Sequence, residues 1–205
     1  MEHIVYVVDD DDAVRHSVAG LLESAGLQAI GFSSAEAFLQ HRFEDLPSCV
    51  ILDMQMPTIS GFEVADALRD SGREIPIIFL TGHGTIPMSV RAIKGGAYEF
   101  LTKPVESVAL IDAIESALRL AENNAARNKE HYALKQRHMS LTPRELEVLQ
   151  LAISGLLNKQ IAAELGVSEI TVKVHRRRVM EKMQVRSVAE LVRVVERLSK
   201  SLPTE

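Results

Sequence analysis

Apolar runs of four to five residues alternate with longer stretches of helical period through the first 120 residues of the chain. This is the pattern of a parallel sheet whose strands are joined by crossover helices. It predicts five βα units, with strands near 4–8, 28–32, 49–52, 76–80 and 98–101 and helices near 12–25, 34–41, 60–71, 85–94 and 106–121. Asp11 or Asp12 can cap the first helix, Ser34 the second and Ser60 the third, while Gly26, Gly72 and Gly95 supply stops.

The pattern changes after residue 118. Residues 119–140, with Asn123-Asn124-Ala125-Ala126-Arg127-Asn128-Lys129, lack Pro and Gly and hold good helix formers with little apolar periodicity, which predicts a solvated helical linker rather than a coiled coil. Thr142-Pro143-Arg144-Glu145 then combines a capping Thr, a Pro at the first helical position and a Glu that completes a capping box. From there the chain reads as all helical, near 143–154, 158–165, 169–183 and 187–200, with Gly155 and Gly166 separating the first three. The last of these, Ser187 to Ser201, reads as a packing or dimer helix.

A chain of 205 residues suits two domains. Its 46% apolar and 25% charged content is that of a soluble globular protein and excludes disorder throughout. There is no run of about 18 apolar residues, and the opening Met1-Glu2-His3-Ile4-Val5-Tyr6-Val7-Val8 meets acidic residues too soon for a signal peptide, so a cytoplasmic protein without a membrane partner is expected. The single Cys49 lies in an apolar run and reads as a small buried hydrophobe. The net charge of -5 hides an asymmetry. Residues 1–121 hold 8 Lys or Arg against 18 Asp or Glu, a balance of -10, whereas 122–137 carry +2 and 138–205 carry +3. An acidic front half and a basic back half suggest a polyanion-binding module attached to something that is not one.

In an open parallel sheet, sites form beyond the carboxyl ends of the strands. Polar residues that end apolar runs are therefore the candidates: Asp9 and Asp10 after the first strand, Asp53 after the third, Thr81 after the fourth and Lys103-Pro104 after the fifth. Taken singly each has a plain explanation, as a helix entry, a loop, a turn or a solvated lysine. Together, three carboxylates on one edge repel one another unless a hard cation sits among them, and Mg2+ fits such oxygen ligands.

The set Asp9, Asp10, Asp53, Thr81 and Lys103-Pro104, in that order, resembles the receiver domain of two-component response regulators. The resemblance implies an α/β doubly wound (βα)5 domain over 1–121 and phosphoryl transfer from a sensor histidine kinase to Asp53. It also implies Mg2+, or Mn2+ in its place, bound by Asp10, Asp53 and the backbone carbonyl of Gln55, with Asp9 holding its waters. Lys103 would contact the phosphoryl oxygens, Thr81 would hydrogen-bond them, and Phe100 matches the rotating aromatic of the family's switch. The Lys103-Pro104 bond is usually cis in that family.

In the back half, residues 158–165, a turn at 166–168 and a helix from 169 have helix-turn-helix spacing. On a helical wheel Val172, Val179 and Met183 share one face of the second helix, and Lys173, Val174, Arg177 and Glu181 share the opposite one, which can enter a major groove. Arg178 and Lys159 lie to the side, placed for phosphates. Arg176 falls near the apolar side, where snorkelling is expected, and His175 reads as structural.

Thr142-Pro143-Arg144-Glu145, Asn158-Lys159-Gln160-Ile161-Ala162 and Thr171-Val172-Lys173-Val174-His175 resemble the four-helix LuxR-type DNA-binding domain. Thr171 joins the expected contacts to double-stranded DNA. A receiver over 1–121, a linker over 122–140 and this small all-α helix-turn-helix domain over 141–205 are similar to the FixJ and NarL class of response regulators. Thr81-Gly82-His83-Gly84-Thr85-Ile86-Pro87-Met88 is nearer to FixJ-like proteins, whereas Lys173 stands where these often carry an acidic residue. The expectation is a transcription regulator that forms a homodimer when phosphorylated and acts with RNA polymerase. No turnover of an external substrate is expected, only slow loss of its own phosphoryl group. Two alternatives weigh less. A haloacid-dehalogenase-like phosphatase would carry its nucleophile after the first strand rather than the third, and a vestigial receiver would not keep Asp10, Asp53, Thr81 and Lys103 together.

Overall fold

The computed structural model describes residues 2–200. Residues 201–205, the end of the expected 141–205 domain and of its last helix, lie outside the described residues. The chain divides into two compact units, one ending at Ala126 and the other beginning at Arg127.

In the first unit β1 (Ile4–Val8), β2 (Gln28–Phe32), β3 (Ser48–Leu52), β4 (Ile77–Thr81) and β5 (Glu99–Thr102) form one parallel sheet in the order β2-β1-β3-β4-β5. It is covered by α1 (Asp12–Ser24), α2 (Ala35–Leu39), α3 (Gly61–Asp70), α4 (Ile86–Lys94) and the start of α5 (Ser107–Met139). Side chains alternate between the two faces of each strand. Tyr6, Val8, Leu52 and Phe79 therefore pack with Phe38 of α2, Val64 and Leu68 of α3 and Ala92 of α4. Their neighbours Val5, Val7, Ile51 and Leu80 pack with Val18 and Leu22 of α1 and Leu110 and Ile114 of α5. Both faces of β1, β3 and β4 are buried, which is why these strands read as unbroken apolar runs, and the fold is doubly wound as expected. Cys49 lies in the second of these cores, where burial pushes its thiol up to about 12.

Local signals set the helix starts. Asp11 accepts from the N–H groups of Ala13 and Val14, and Ser60 and Glu63 form a reciprocal capping box. α4 ends at Lys94 with Gly95 as its C-cap, as expected, and Gly96, with φ 90°, makes the turn that follows.

The second unit contains α6 (Pro143–Ile153), α7 (Asn158–Leu165), α8 (Glu169–Met183) and α9 (Val188–Lys200). The Thr142 hydroxyl accepts from the Glu145 N–H while the Glu145 carboxylate accepts from the Thr142 N–H, so the predicted capping box is formed. The same carboxylate is buried and accepts from Lys182 Nζ at 2.6 Å, tying α6 to α8. The expected linker is helical, as predicted, but it is not solvated throughout. A single helix, α5, runs from Ser107 to Met139, and its Leu134 is buried against Leu141, Leu149, Val179 and Leu191. An isolated apolar anchor leaves no stripe for periodicity to detect.

Candidate functional site

The sheet order reverses direction between β1 and β3, and the crevice beyond their carboxyl ends is where a doubly wound sheet holds its site. Parallel pairing aligns Val8 with Leu52, so Asp9 and Asp53 leave adjacent strands at the same level. The Asp53 N–H donates to Val8 O at 2.9 Å and the Asp9 N–H to Phe32 O at 3.2 Å, extending the sheet by one bond at each. Asp9 and Asp53 are buried and Asp10 is exposed, and one oxygen from each lies within 4.8 Å of the others. Hard oxygen donors at that spacing fit a small divalent cation.

Lys103 follows β5 from two strands away and enters the same cluster. Its Nζ donates to Asp9 Oδ2 at 2.6 Å and to Asp53 Oδ2 at 2.8 Å. Burial alone would lower its pKa, but the hydrogen bonds and charges of Asp53 and Asp9 outweigh burial and hold the ammonium above its ordinary value. A charged Lys103 offsets part of the carboxylate repulsion. Asp53 Oδ1 accepts from the Gln55 N–H at 3.1 Å, and Asp9 Oδ1 from the Asp11 N–H at 3.0 Å. Gln55 itself is exposed. The Lys103-Pro104 peptide is cis, and the Lys103 N–H donates to Thr81 O at 2.8 Å.

Thr81 is fully buried at the end of β4, and its hydroxyl accepts from the His83 N–H at 3.4 Å. Phe100, half-buried on β5, packs against the core shared with α3 and α4. Two glycines that the sequence reading left without a role crowd this region. A Cβ on Gly61 would lie 2.5 Å from Asp53 O, so only glycine lets α3 begin this close to the Asp53 loop. A Cβ on Gly84 would lie 2.6 Å from Thr102 Cγ2 and 3.0 Å from the Phe100 ring. Neither carries a polar side chain, and no local turn signal marks them.

The second candidate surface is α8. Val172, Val179 and Met183 are buried, and Lys173, Val174, Arg177, Arg178 and Glu181 are exposed, which is the division drawn from the helical wheel. Thr171 is half-buried with its hydroxyl 2.8 Å from that of Ser168, the α8 cap, so it sits at the cap rather than on the open face. Lys159 is exposed near the start of α7. Arg176 donates to Asn158 Oδ1 at 2.7 Å and so joins α8 to α7, a polar role that the snorkelling expectation did not include. His175 is half-buried. Ile170 is 73% exposed, an apolar member of the open face that the wheel argument passed over.

Comparison with known proteins assigns each unit. Residues 5–115 match the response regulator receiver domain family, and residues 139–195 match the luxR family of bacterial regulatory proteins. The response regulator protein TmoT of Ectopseudomonas mendocina is 48% identical over 98% of this chain and 91% of its own length. The transcriptional regulatory protein FixJ of Bradyrhizobium diazoefficiens is 42% identical over 94% of each. Among solved structures, the response regulator StyR aligns with a TM-score of 0.86 at 50% identity, covering 96% of this chain and all of StyR. Full-length FixJ from B. japonicum aligns with a TM-score of 0.56 at 40% identity, covering 97% and 98%.

Proposed function

Since the chain belongs to the two-component response regulators that join a receiver to a LuxR-type DNA-binding domain, we propose that a histidine kinase phosphorylates Asp53 and that the phosphoryl group controls dimerisation, DNA binding and transcription. The observation that carries this reading is the meeting of Asp9, Asp10, Asp53 and Lys103 at the switch point of the sheet. Asp10, Asp53 and the Gln55 backbone carbonyl would hold Mg2+ or Mn2+, with Asp9 bound through water, and the ion supplies positive charge to the phosphoryl oxygens when bound.

A carboxylate oxygen of Asp53 forms the new bond to phosphorus as the P–N bond of the kinase phosphohistidine breaks, and the electron pair leaves with the imidazole. Lys103, held charged by its neighbours, neutralises oxygens in flight. Most of the work is positioning and electrostatics. The product carries close to two negative charges, and the Thr81 hydroxyl is the nearby donor that can move to meet them. Phe100 fills the space that Thr81 leaves. Both lie beside α4, whose Ile86, Val90 and Ile93 are exposed, and this apolar face suits a symmetric dimer of receivers. The dimer presents two α8 helices to successive major grooves. Lys173, Val174 and Arg177 read bases, with Thr171 at the helix start, and Arg178 and Lys159 hold phosphates. RNA polymerase is the partner that would turn occupancy into transcription. A cytoplasmic setting follows from that role, and among the described residues no helix is long and apolar enough to cross a membrane.

Acetyl phosphate with Mg2+ tests the assignment without the kinase. Intact-mass measurement should find one phosphoryl group on the wild type and none on Asp53→Asn, which keeps the shape of the side chain but loses its nucleophilic charge. Full labelling of Asp53→Asn would exclude Asp53 as the acceptor.

A further inference from the structure

The open face of α8 carries one residue that is out of place by every local criterion. Glu181 follows Arg177 by four residues, the less favourable order for an i,i+4 pair. It lies in the last turns of the helix, where a carboxylate opposes the macrodipole. It also puts a negative charge on the surface that would approach DNA phosphates. The other ion pair on this face has neither the unfavourable order nor the unfavourable place along the helix. Glu169 precedes Lys173, sits in the first turn and lies 3.1 Å away, so helix stability alone accounts for it.

Glu181 does one specific thing. Its Oε1 accepts from Arg177 Nε at 2.7 Å, although the Arg177 side chain is 83% exposed. A guanidinium offers five N–H donors in a rigid planar fork. With Nε engaged from the side, the two terminal nitrogens remain as an end-on pair, the geometry that meets guanine O6 and N7 bidentately. Arg178 and Lys159, which need only meet phosphates, pair with no carboxylate among the described residues.

We propose that Glu181 is a positioning residue that orients the Arg177 fork for a guanine, giving up general affinity for DNA in exchange for discrimination among sequences. The inference rests on the reading of Arg177 as a base contact. It predicts opposite movements of two quantities when Glu181 is lost: tighter binding to arbitrary DNA and a smaller preference for the selected site.

The test uses the full chain treated with acetyl phosphate and Mg2+. A duplex selected by the wild type from a randomised pool is compared with its scrambled form for wild type, Arg177→Ala, Glu181→Ala and Glu181→Gln. Arg177→Ala should lower the affinity ratio by about 10-fold or more, the size of a lost bidentate contact. Glu181→Ala should lower it by about 3- to 10-fold, a fraction of that loss, while binding the scrambled duplex more tightly. Glu181→Gln should also bind the scrambled duplex more tightly but keep the ratio within about twofold of wild type, because its amide oxygen still accepts from Nε. Renewed selection with Glu181→Ala should relax the same base position as selection with Arg177→Ala.

If Arg177→Ala lowers the ratio and Glu181→Ala does not, the positioning role is wrong while the base contact stands. If Glu181→Ala and Glu181→Gln lose the ratio equally, or if Glu181→Ala relaxes a different position, Glu181 acts by charge or touches a base itself and the inference falls. An unchanged ratio for Arg177→Ala removes both the base contact and the inference built on it.

Discussion

Three carboxylates within 4.8 Å of one another store repulsion that Lys103 offsets only in part. Asp10 makes no hydrogen bond to Lys103, which is shared between Asp9 and Asp53. Replacing Asp10 by Asn should therefore leave the Mg2+-free protein as stable as the wild type or more so, with a gain of about 1 kcal/mol or less because the group is exposed. Mg2+ affinity and phosphorylation should both fall. Thermal melts with and without Mg2+ check the pair of outcomes, and a marked loss of stability without Mg2+ would mean that Asp10 serves the start of α1 instead. The charged members of this site were legible because each ends an apolar run at a strand terminus, where polar residues need a reason. Gly61 and Gly84 were not, since what demands glycine there is a close approach of chain segments far apart in sequence.

Strands and helices that bury a continuous face announce themselves, and here β1, β3 and α1 begin or end within a residue or so of where periodicity predicts. α5 begins at Ser107, also within a residue, and runs on through the expected helical linker; past Ala121 it buries little beyond Leu134, an anchor that the reading of 119–140 as solvated does not include. The link between α6 and α8 was equally hidden. Glu145 was expected only as a cap, yet it is buried and paired with Lys182. Burial alone would raise its carboxyl pKa, but Lys182 and the Thr142 N–H outweigh burial and hold it below the ordinary value. A depressed folded-state pKa means that the stabilisation is present above the unfolded value of about 4.3 and is lost as pH falls through the lower folded value. Melting followed from pH 6 down to about pH 3 should show a loss of stability in the second unit that Glu145→Gln lacks. That variant should be less stable near neutrality, by on the order of 2 kcal/mol, since it weakens a mostly buried pair. Parallel pH profiles for the two proteins would show that the pair contributes no pH dependence.

Across the whole chain the charge asymmetry follows the division of labour. The acidic first unit carries a cluster suited to a cation and a phosphoryl group, and the more basic second unit carries a helix whose open face is rich in Lys and Arg. The family assignment follows from both units together, because neither the acidic cluster nor the helix-turn-helix alone implies control of one by the other. That control is most directly tested by measuring solution mass and affinity for the selected duplex on the same samples, with and without acetyl phosphate and Mg2+, for the wild type and Asp53→Asn. Phosphorylated wild type should shift from monomer to dimer and bind the duplex at least about 10-fold more tightly, a coupling of about 1.4 kcal/mol or more, while Asp53→Asn should change in neither respect. Equal mass and affinity for phosphorylated and unphosphorylated wild type, with the phosphoryl group verified on Asp53, would contradict it.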